Sequence, residues 1–299
     1  MASAHAAAIG PSRPRELQDP LNRYIYHPLA ALLAHMLLPT GITANAVSVL
    51  SAAALIASAL AYTQAAWPIG VLLGFSLMLL WHVIDGADGD LARLKGTASS
   101  TGELVDGVCD YLGNTIMYFA FAFLLDDTLG AWAWILAVGA GASHVVQTNH
   151  AETQRRLYMW RAYGVPWLRN ARASDDAVFR RESWFTRYFG FWAVGYVWLS
   201  NRMTPGANPI DAALAKAHSD QRETRHIRRL VRRVFAPSHG LAMALGANPK
   251  TFLIAASMAM GSPLYYFLAM IFGVNLILLA SILHHKTLTG RVAAALSRT

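Results

Sequence analysis

Only one cysteine, Cys109, is present among 299 residues. A lone thiol excludes an internal disulfide and any cysteine-based metal site. Charge is also scarce. Asp, Glu, Lys and Arg make up 14% of the chain against 55% hydrophobic residues, and the mean hydropathy is +0.33. That balance is too apolar for an ordinary soluble domain and fits an integral membrane protein. The N-terminal stretch has no short apolar core ahead of a cleavage site. It carries Arg13, Pro14 and Arg15 instead, so no signal peptide is expected. Lys and Arg are missing from the segments near Gln64, Asp126 and Ser262, all three of which read as turns between apolar runs.

The charge that is present is unevenly placed. Lys and Arg number 25 against 17 Asp and Glu, a formal net charge of +8. Sixteen of the cations, fifteen Arg plus Lys216, fall in residues 150–246 beside seven acids. Basic loops facing anionic lipid account for this excess without nucleic acid. Trp160, Trp167, Trp184, Trp192 and Trp198 are interleaved with the cations, and this favours lipid headgroups over RNA even for the Arg222–Arg233 run. Phe189 to Leu199 is apolar but about half the length needed to cross a bilayer. Residues 150–246 therefore read as a basic cytoplasmic insert lying on the membrane face.

The apolar runs on either side set the expected architecture, an all-α integral membrane protein. Residues 1–38 read as a polar tail followed, over 19–38, by an amphipathic interfacial helix that Pro39 ends. Residues 39–149 hold four expected spans: one from Gly41 to about Ala66, one from about Trp67 to Asp85, one from about Glu103 to Leu125 and one from about Gly130 to Val146. Asp126-Asp127 reads as a short acidic turn between the last two. Residues 247–299 hold a fifth and sixth span broken at Gly261-Ser-Pro263, then a tail. Six spans put both termini on the side that receives Arg93, Lys95 and the insert. The positive-inside rule makes that side cytoplasmic.

Residues 85 to 110 carry the chemistry. Asp85 and Asp88 are i, i+3, and Asp106 and Asp110 are i, i+4, so each pair shares one helix face. The short polar connection from Lys95 to Ser100 makes the two helices antiparallel neighbours. Four carboxylates then converge at the expected ends of two apolar helices, which is costly unless they are neutralised. All-oxygen ligation suits hard divalent cations, Mg²⁺ or Mn²⁺. Two such ions would balance four charges and clamp a phosphoryl group. Gly89 and Gly102 leave room for close approach, and Arg93, one turn past Gly89, offers a fork for phosphate oxygens. A divalent-cation transporter is a weaker alternative. An ion path needs acids spread through the membrane depth, whereas these cluster at one end.

The pattern D-x2-D-G-x2-A-R-x8-G-x3-D-x3-D, from Asp85 through Asp110, resembles the signature of the CDP-alcohol phosphatidyltransferase family at every fixed position. Thr43 and Asn45, leading into the first span, resemble the family's Thr-Pro-Asn corner with Ala44 in place of Pro, and capping is the competing reading for both. The resemblance implies a transferase that moves a phosphatidyl group from CDP-diacylglycerol to a small polar alcohol and releases CMP. It implies Asp85, Asp88, Asp106 and Asp110 as holders of two metals, with Asp110 also the general base. Gly89, Ala92, Arg93, Gly102, Thr43 and Asn45 would contact the CDP moiety. An alternative within the family is transfer from a soluble CDP-alcohol to a lipid. Arg155 and Arg156 are candidates for an acceptor phosphate, against simple positive-inside anchoring. The expected setting is the inner or plasma membrane of a bacterium, with membrane lipids as partners and a homodimer left open. His82, one turn before Asp85, reads as a packing residue ahead of a metal ligand, and Cys109 as a small apolar group. Asp90 and Glu103 are expected to be solvated or to support the site from its edge.

Overall fold

The computed structural model describes residues 14–165, 184–204 and 209–297, and every regular element among them is a helix. The 1–13 tail and Trp167 lie outside the described residues. Helix α1 (His27–Leu37) follows one π-helical stretch, Asn22–Tyr26. Its Ala30 and Ala34 are buried, while Leu29, Leu32 and Met36 are exposed. A small face packed on protein and a large apolar face outside suit a helix seated at a membrane boundary.

Helix α2 (Ala44–Gln64) starts at Thr43, whose hydroxyl accepts from the Ala46 amide at 3.2 Å. Helix α3 spans Ile69–Leu94, and α4 spans Ser100–Leu129 behind a Ser99 cap. Lys95 donates to the carbonyls of Thr40 and Ile42 at 3.0 and 2.7 Å and so ties the corner before α2 to the end of α3. Glycines let these helices approach closely. A Cβ on Gly74 of α3 would stand 2.6 Å from the Tyr62 ring of α2, and one on Gly113 of α4 would stand 3.0 Å from Leu55.

Helix α5 (Ala131–Tyr158) turns back after Gly130, which sits at φ +52°. Asp126 pairs with Trp134, Tyr118 with His144 and Glu103 with Arg156. This register runs α5 antiparallel along the whole of α4. Its 28 residues reach about 42 Å at 1.5 Å each. Helix α6 is Trp184–Met203, α7 Pro209–Lys216, α8 Gln221–Phe235, α9 Gly240–Ala244 and α10 Ala247–Ala259. Helix α11 (Leu264–Leu268) passes through a π-helical stretch, Ala269–Val274, into α12 (Asn275–Leu296).

Among the described residues, four helices are long and apolar enough to cross a membrane: Ala44–Gln64, Ile69–Leu94, Ser100–Leu129 and the continuous Leu264–Leu296. The helices outrun the expected spans. Helix α3 continues well past Asp85, and α4 begins before Glu103 and takes in Asp126-Asp127, which form its last turn rather than a connection. Acids do not stop a helix whose next residues keep their backbone bonds, whereas Gly130 does. The four acids therefore lie inside the helices and not at their ends.

Two hydrophobic cores organise the described residues. The larger packs α2 to α5 with α10 to α12 around Leu55, Met117, Phe121, Phe267 and Met270. The second joins Ile210, Leu214, Ile227, Val231 and Phe235 to Tyr158 and Ala162, and to Leu288 and Val292 at the end of α12. The apolar face of α8 is thus buried in protein, and Arg222, Arg225, Arg229, Arg232 and Arg233 are exposed. Arg228 turns inward and donates to the Trp160 carbonyl at 3.1 Å.

Overpacking a tight helix contact costs ~1–3 kcal/mol. Gly74→Ala is expected to lower the melting temperature of the protein in detergent. Gly273→Ala, where nothing lies within 4 Å of an added Cβ, is expected to leave it unchanged. Equal melting temperatures for the two variants would refute the close α2–α3 contact.

Candidate functional site

The site forms where α2, α3 and α4 meet. One carboxylate oxygen from each of Asp85, Asp88 and Asp106 lies within 4.8 Å of the others. The Asp110 carboxyl faces that of Asp85, and the Asp88 carboxyl faces that of Asp106. Asp85 Oδ1, Asp106 Oδ1 and Asp110 Oδ1 are buried without a hydrogen-bond partner. Buried carboxylate oxygens left unpaired by protein are costly. An all-oxygen set of this kind fits a hard divalent cation.

Helix α2 supplies hydroxyls that the signature does not include. Ser48 donates to Asp88 Oδ2 at 2.5 Å. Ser51, one turn on, stands beside Asp85 with its Oγ unpaired. Asn45, Ser48 and Ser51 follow at intervals of three and share one face, which is the signal that could have flagged them. The two readings of the Thr43–Asn45 corner separate here. The Thr43 side chain is the helix cap, whereas Asn45 Oδ1 lies 3.8 Å from where a Cβ on Gly102 would stand.

Arg93 folds back over Gly89, with a terminal nitrogen 3.4 Å from an added Cβ there, and pairs with Asp90. Ala92 occupies the same exposed end of α3. His82 is buried, stacks on Tyr26 at 4.8 Å and meets Thr251 Oγ1 at 2.8 Å. It is a packing residue in this arrangement.

A cavity of about 720 Å³ opens beside the acids, between α4 and α5. Asp85, Asp106 and Asp110 line one part, Glu103, Glu152, Arg155 and Arg156 another, and Phe119, Ala137, Val138 and Gly141 a third. The arginines do not stand alone. Arg155 holds Glu152 through two nitrogens at 2.7 and 2.6 Å, and Arg156 holds Glu152 at 2.6 Å and Glu103 at 3.2 Å. Two cations and two anions balance.

Helix α6 supplies a wall of the cavity that sequence reasoning missed. Trp192 stacks on Tyr111 at 5.3 Å, and Ala193 packs on Leu104. Asn149 donates to the Tyr196 carbonyl at 3.2 Å and Thr153 to Ser200 at 3.0 Å. All these contacts fall at the level of the acids. The outer face shows Trp184, Tyr188, Phe191, Val194 and Trp198. Nothing in the sequence ties this aromatic run to residues some eighty positions away.

Residues 41–166 match the family model described as CDP-alcohol phosphatidyltransferase. The matched segment contains all four acids, the arginine pair and every residue of the signature, and it stops before α6. No curated protein matches the chain.

The Glu152 ion pairs have a pH signature. Burial pushes the Glu152 carboxyl up, but Arg155 and Arg156 outweigh burial and hold it at about 2, below its ordinary 4.5. A folded-state value below the unfolded one adds stability at higher pH that is lost as the pH falls from about 4.5 toward 2. The melting-temperature difference between wild type and Glu152→Gln is expected to be flat above pH 5 and to shrink below it. A difference that grows on acidification would refute the pairing.

Proposed function

The chain belongs, through residues 41–166, to the CDP-alcohol phosphatidyltransferase family, and on that premise we propose that it transfers a phosphatidyl group from CDP-diacylglycerol to a small polar alcohol. The observation that carries this reading is the set of buried, partly unpaired carboxylates opening into a cavity with a charged end and an apolar end. An amphipathic donor suits such a cavity, with its nucleotide at the aqueous end and its chains toward Phe119 and Val138. The family transfers substituted phosphate groups, and four apolar helices fit a multi-pass membrane protein.

Asp85, Asp88 and Asp106 would hold two divalent cations, Mg²⁺ or Mn²⁺, with Asp110 sharing one. When bound, the ions supply neutralisation of the donor diphosphate and polarisation of the attacked phosphorus. Ser48 fixes the Asp88 carboxylate by its hydrogen bond. Gly89 and Gly102 leave backbone open to the nucleotide, flanked by Asn45, Thr43 and Ala92, and Arg93 is placed to turn from Asp90 to a phosphate. Asp110 lines the cavity and takes the proton from the acceptor hydroxyl as its oxygen bonds to phosphorus and the bond to CMP breaks.

The proposed topology has six crossings: α2, α3, α4, α5, α10 and the α11–α12 rod. Its support is the antiparallel register of α5 on α4. Helix α10, at 13 residues, reaches only about 20 Å and would cross with the help of the segment before it. Both termini, the site and residues 150–246 would then be cytoplasmic.

Purified protein supplied with CDP-diacylglycerol, Mg²⁺ and a panel of sn-glycerol 3-phosphate, inositol 1-phosphate and serine is expected to release CMP. EDTA is expected to abolish release and Mn²⁺ or Mg²⁺ to restore it. Asp110→Asn is expected to lower kcat at least 10²-fold while CDP-diacylglycerol still binds. Full turnover in chelator would sink the metal reading, and near-normal turnover of Asp110→Asn would remove that residue as the base. For orientation, a cysteine at exposed Ala212 in a Cys109→Ser background is expected to resist an impermeant thiol reagent in intact cells and to react after lysis. Labelling from outside would overturn the six-crossing topology.

A further inference from the structure

Lys250, in the first turns of α10, is 3% exposed. Its ammonium donates to Thr148 Oγ1 at 2.8 Å, and among the described residues no carboxylate forms an ion pair with it. The contrast with the outer arginines is one of charge balance. Arg155 and Arg156 already face Glu152 and Glu103, so an anion arriving there must displace an acid. Lys250 has only a neutral hydroxyl as its partner, so an anion arriving beside it displaces no acid and favours the charged form of the amine.

The geometry offers one approach. Thr148 lines the cavity, and so does Ala247 on α10. The Thr148 oxygen accepts from Lys250, which leaves the hydroxyl proton free to be donated. His144 lies one turn away on the same face of α5, and Asn114 and Tyr118 face the cavity from α4. Asn114 is itself one turn from Asp110 on that face. The polar lining therefore runs from the proposed base to Thr148, with the Lys250 amine one hydroxyl behind the wall.

We propose that this middle part of the cavity, short of its apolar end at Phe119 and Val138, seats an anionic group, a phosphate or a carboxylate, on the acceptor alcohol, received by the Thr148 hydroxyl with Lys250 behind it. The assignment rests on the transferase reading. It moves the acceptor's anion from Arg155 and Arg156 to Thr148 and Lys250. The acceptor then lies with its anion at Thr148 and its hydroxyl at Asp110. Neutral alcohols of the same shape bring Lys250 no anion and are poor acceptors.

Two measurements test this. The first needs no turnover: thermal unfolding in lipid nanodiscs with EDTA, in inorganic phosphate or acetate against chloride at equal ionic strength. Wild type and Arg155→Gln are expected to be stabilised by at least one of the two anions, whereas Thr148→Val and Lys250→Met lose that rise and Lys250→Arg keeps part of it. If Lys250→Met fails to fold, Thr148→Val decides, since it preserves shape and removes only the hydroxyl. No anion-induced rise in wild type, or an equal rise in Thr148→Val, overturns the site. The second measurement is CMP release with sn-glycerol 3-phosphate or serine against glycerol. Thr148→Val is expected to raise the KM of the anionic acceptor about tenfold, the worth of one charge-assisted hydrogen bond, at unchanged donor KM. A shift in donor KM alone also overturns the site. If wild type releases no CMP with any acceptor, the transferase reading fails while the anion measurement still decides on Lys250.

Discussion

Four carboxylates on two adjoining helices repel one another, and much of the fold answers that repulsion. Water would screen them at a surface, but here Asp88 is nearly covered and three carboxylate oxygens have no partner. Helix α2 is drawn against both acid-bearing helices by glycine contacts, which brings Ser48 to Asp88 and Asn45 toward Gly102. Lys95 pins the corner ahead of α2 so that this register cannot slide. The protein supplies hydroxyls and a cap to the cluster but no lysine or arginine in direct ion pairing with these four acids among the described residues. Compensation by bound cations is the arrangement that such a set invites.

The acid cluster was legible because its spacing is a local property. Intervals of three and four residues fix a helix face whatever the chain does elsewhere. The same logic reached Gly89, Arg93 and Gly102, and it would have reached Ser48 and Ser51 had the interval from Asn45 been followed. Helix ends were less legible. A run of Asp and Gly looks like an end, yet a helix persists while its backbone bonds are met, so α3 and α4 extend past the expected limits. The wall made by α6 and the partner of Lys250 were not legible at all. Trp192 meets Tyr111, and Lys250 meets Thr148, across long separations that only tertiary packing sets. Arg155 and Arg156 could be placed near the site from sequence, and Glu152 one turn before them was in plain view, but the second acid on Arg156, Glu103, comes from another helix.

The described helices within 150–246 divide into two physical roles. Helix α6 turns small residues, Thr186, Gly190, Ala193 and Ser200, toward the protein and aromatic residues away from it, the pattern of an element wet at one end and apolar on its outside. Helices α7 and α8 instead bury their apolar faces in a second core, and the Arg161–Asp211 fork at 2.7 and 2.9 Å fastens that core to the end of α5. Glu16 accepts from Tyr158 at 2.9 Å and from Tyr163, so the segment ahead of α1 is fastened there too.

The rod from Leu264 to Leu296 belongs to both cores. Leu278 sits in the larger one, and Leu288 and Val292 in the second. At about 50 Å it is longer than the bilayer is thick. It also follows every one of its packing partners in the chain. During synthesis the acid-bearing helices, the arginine pair and α8 all leave the ribosome before the element that closes either core. Until that rod arrives neither core is closed, although α5 already reaches from one to the other through Ala137 and Tyr158. Assembly of the membrane part and of its basic appendage is thus completed by a single late event, and a ribosome stalled before Leu264 would leave both unfinished at once.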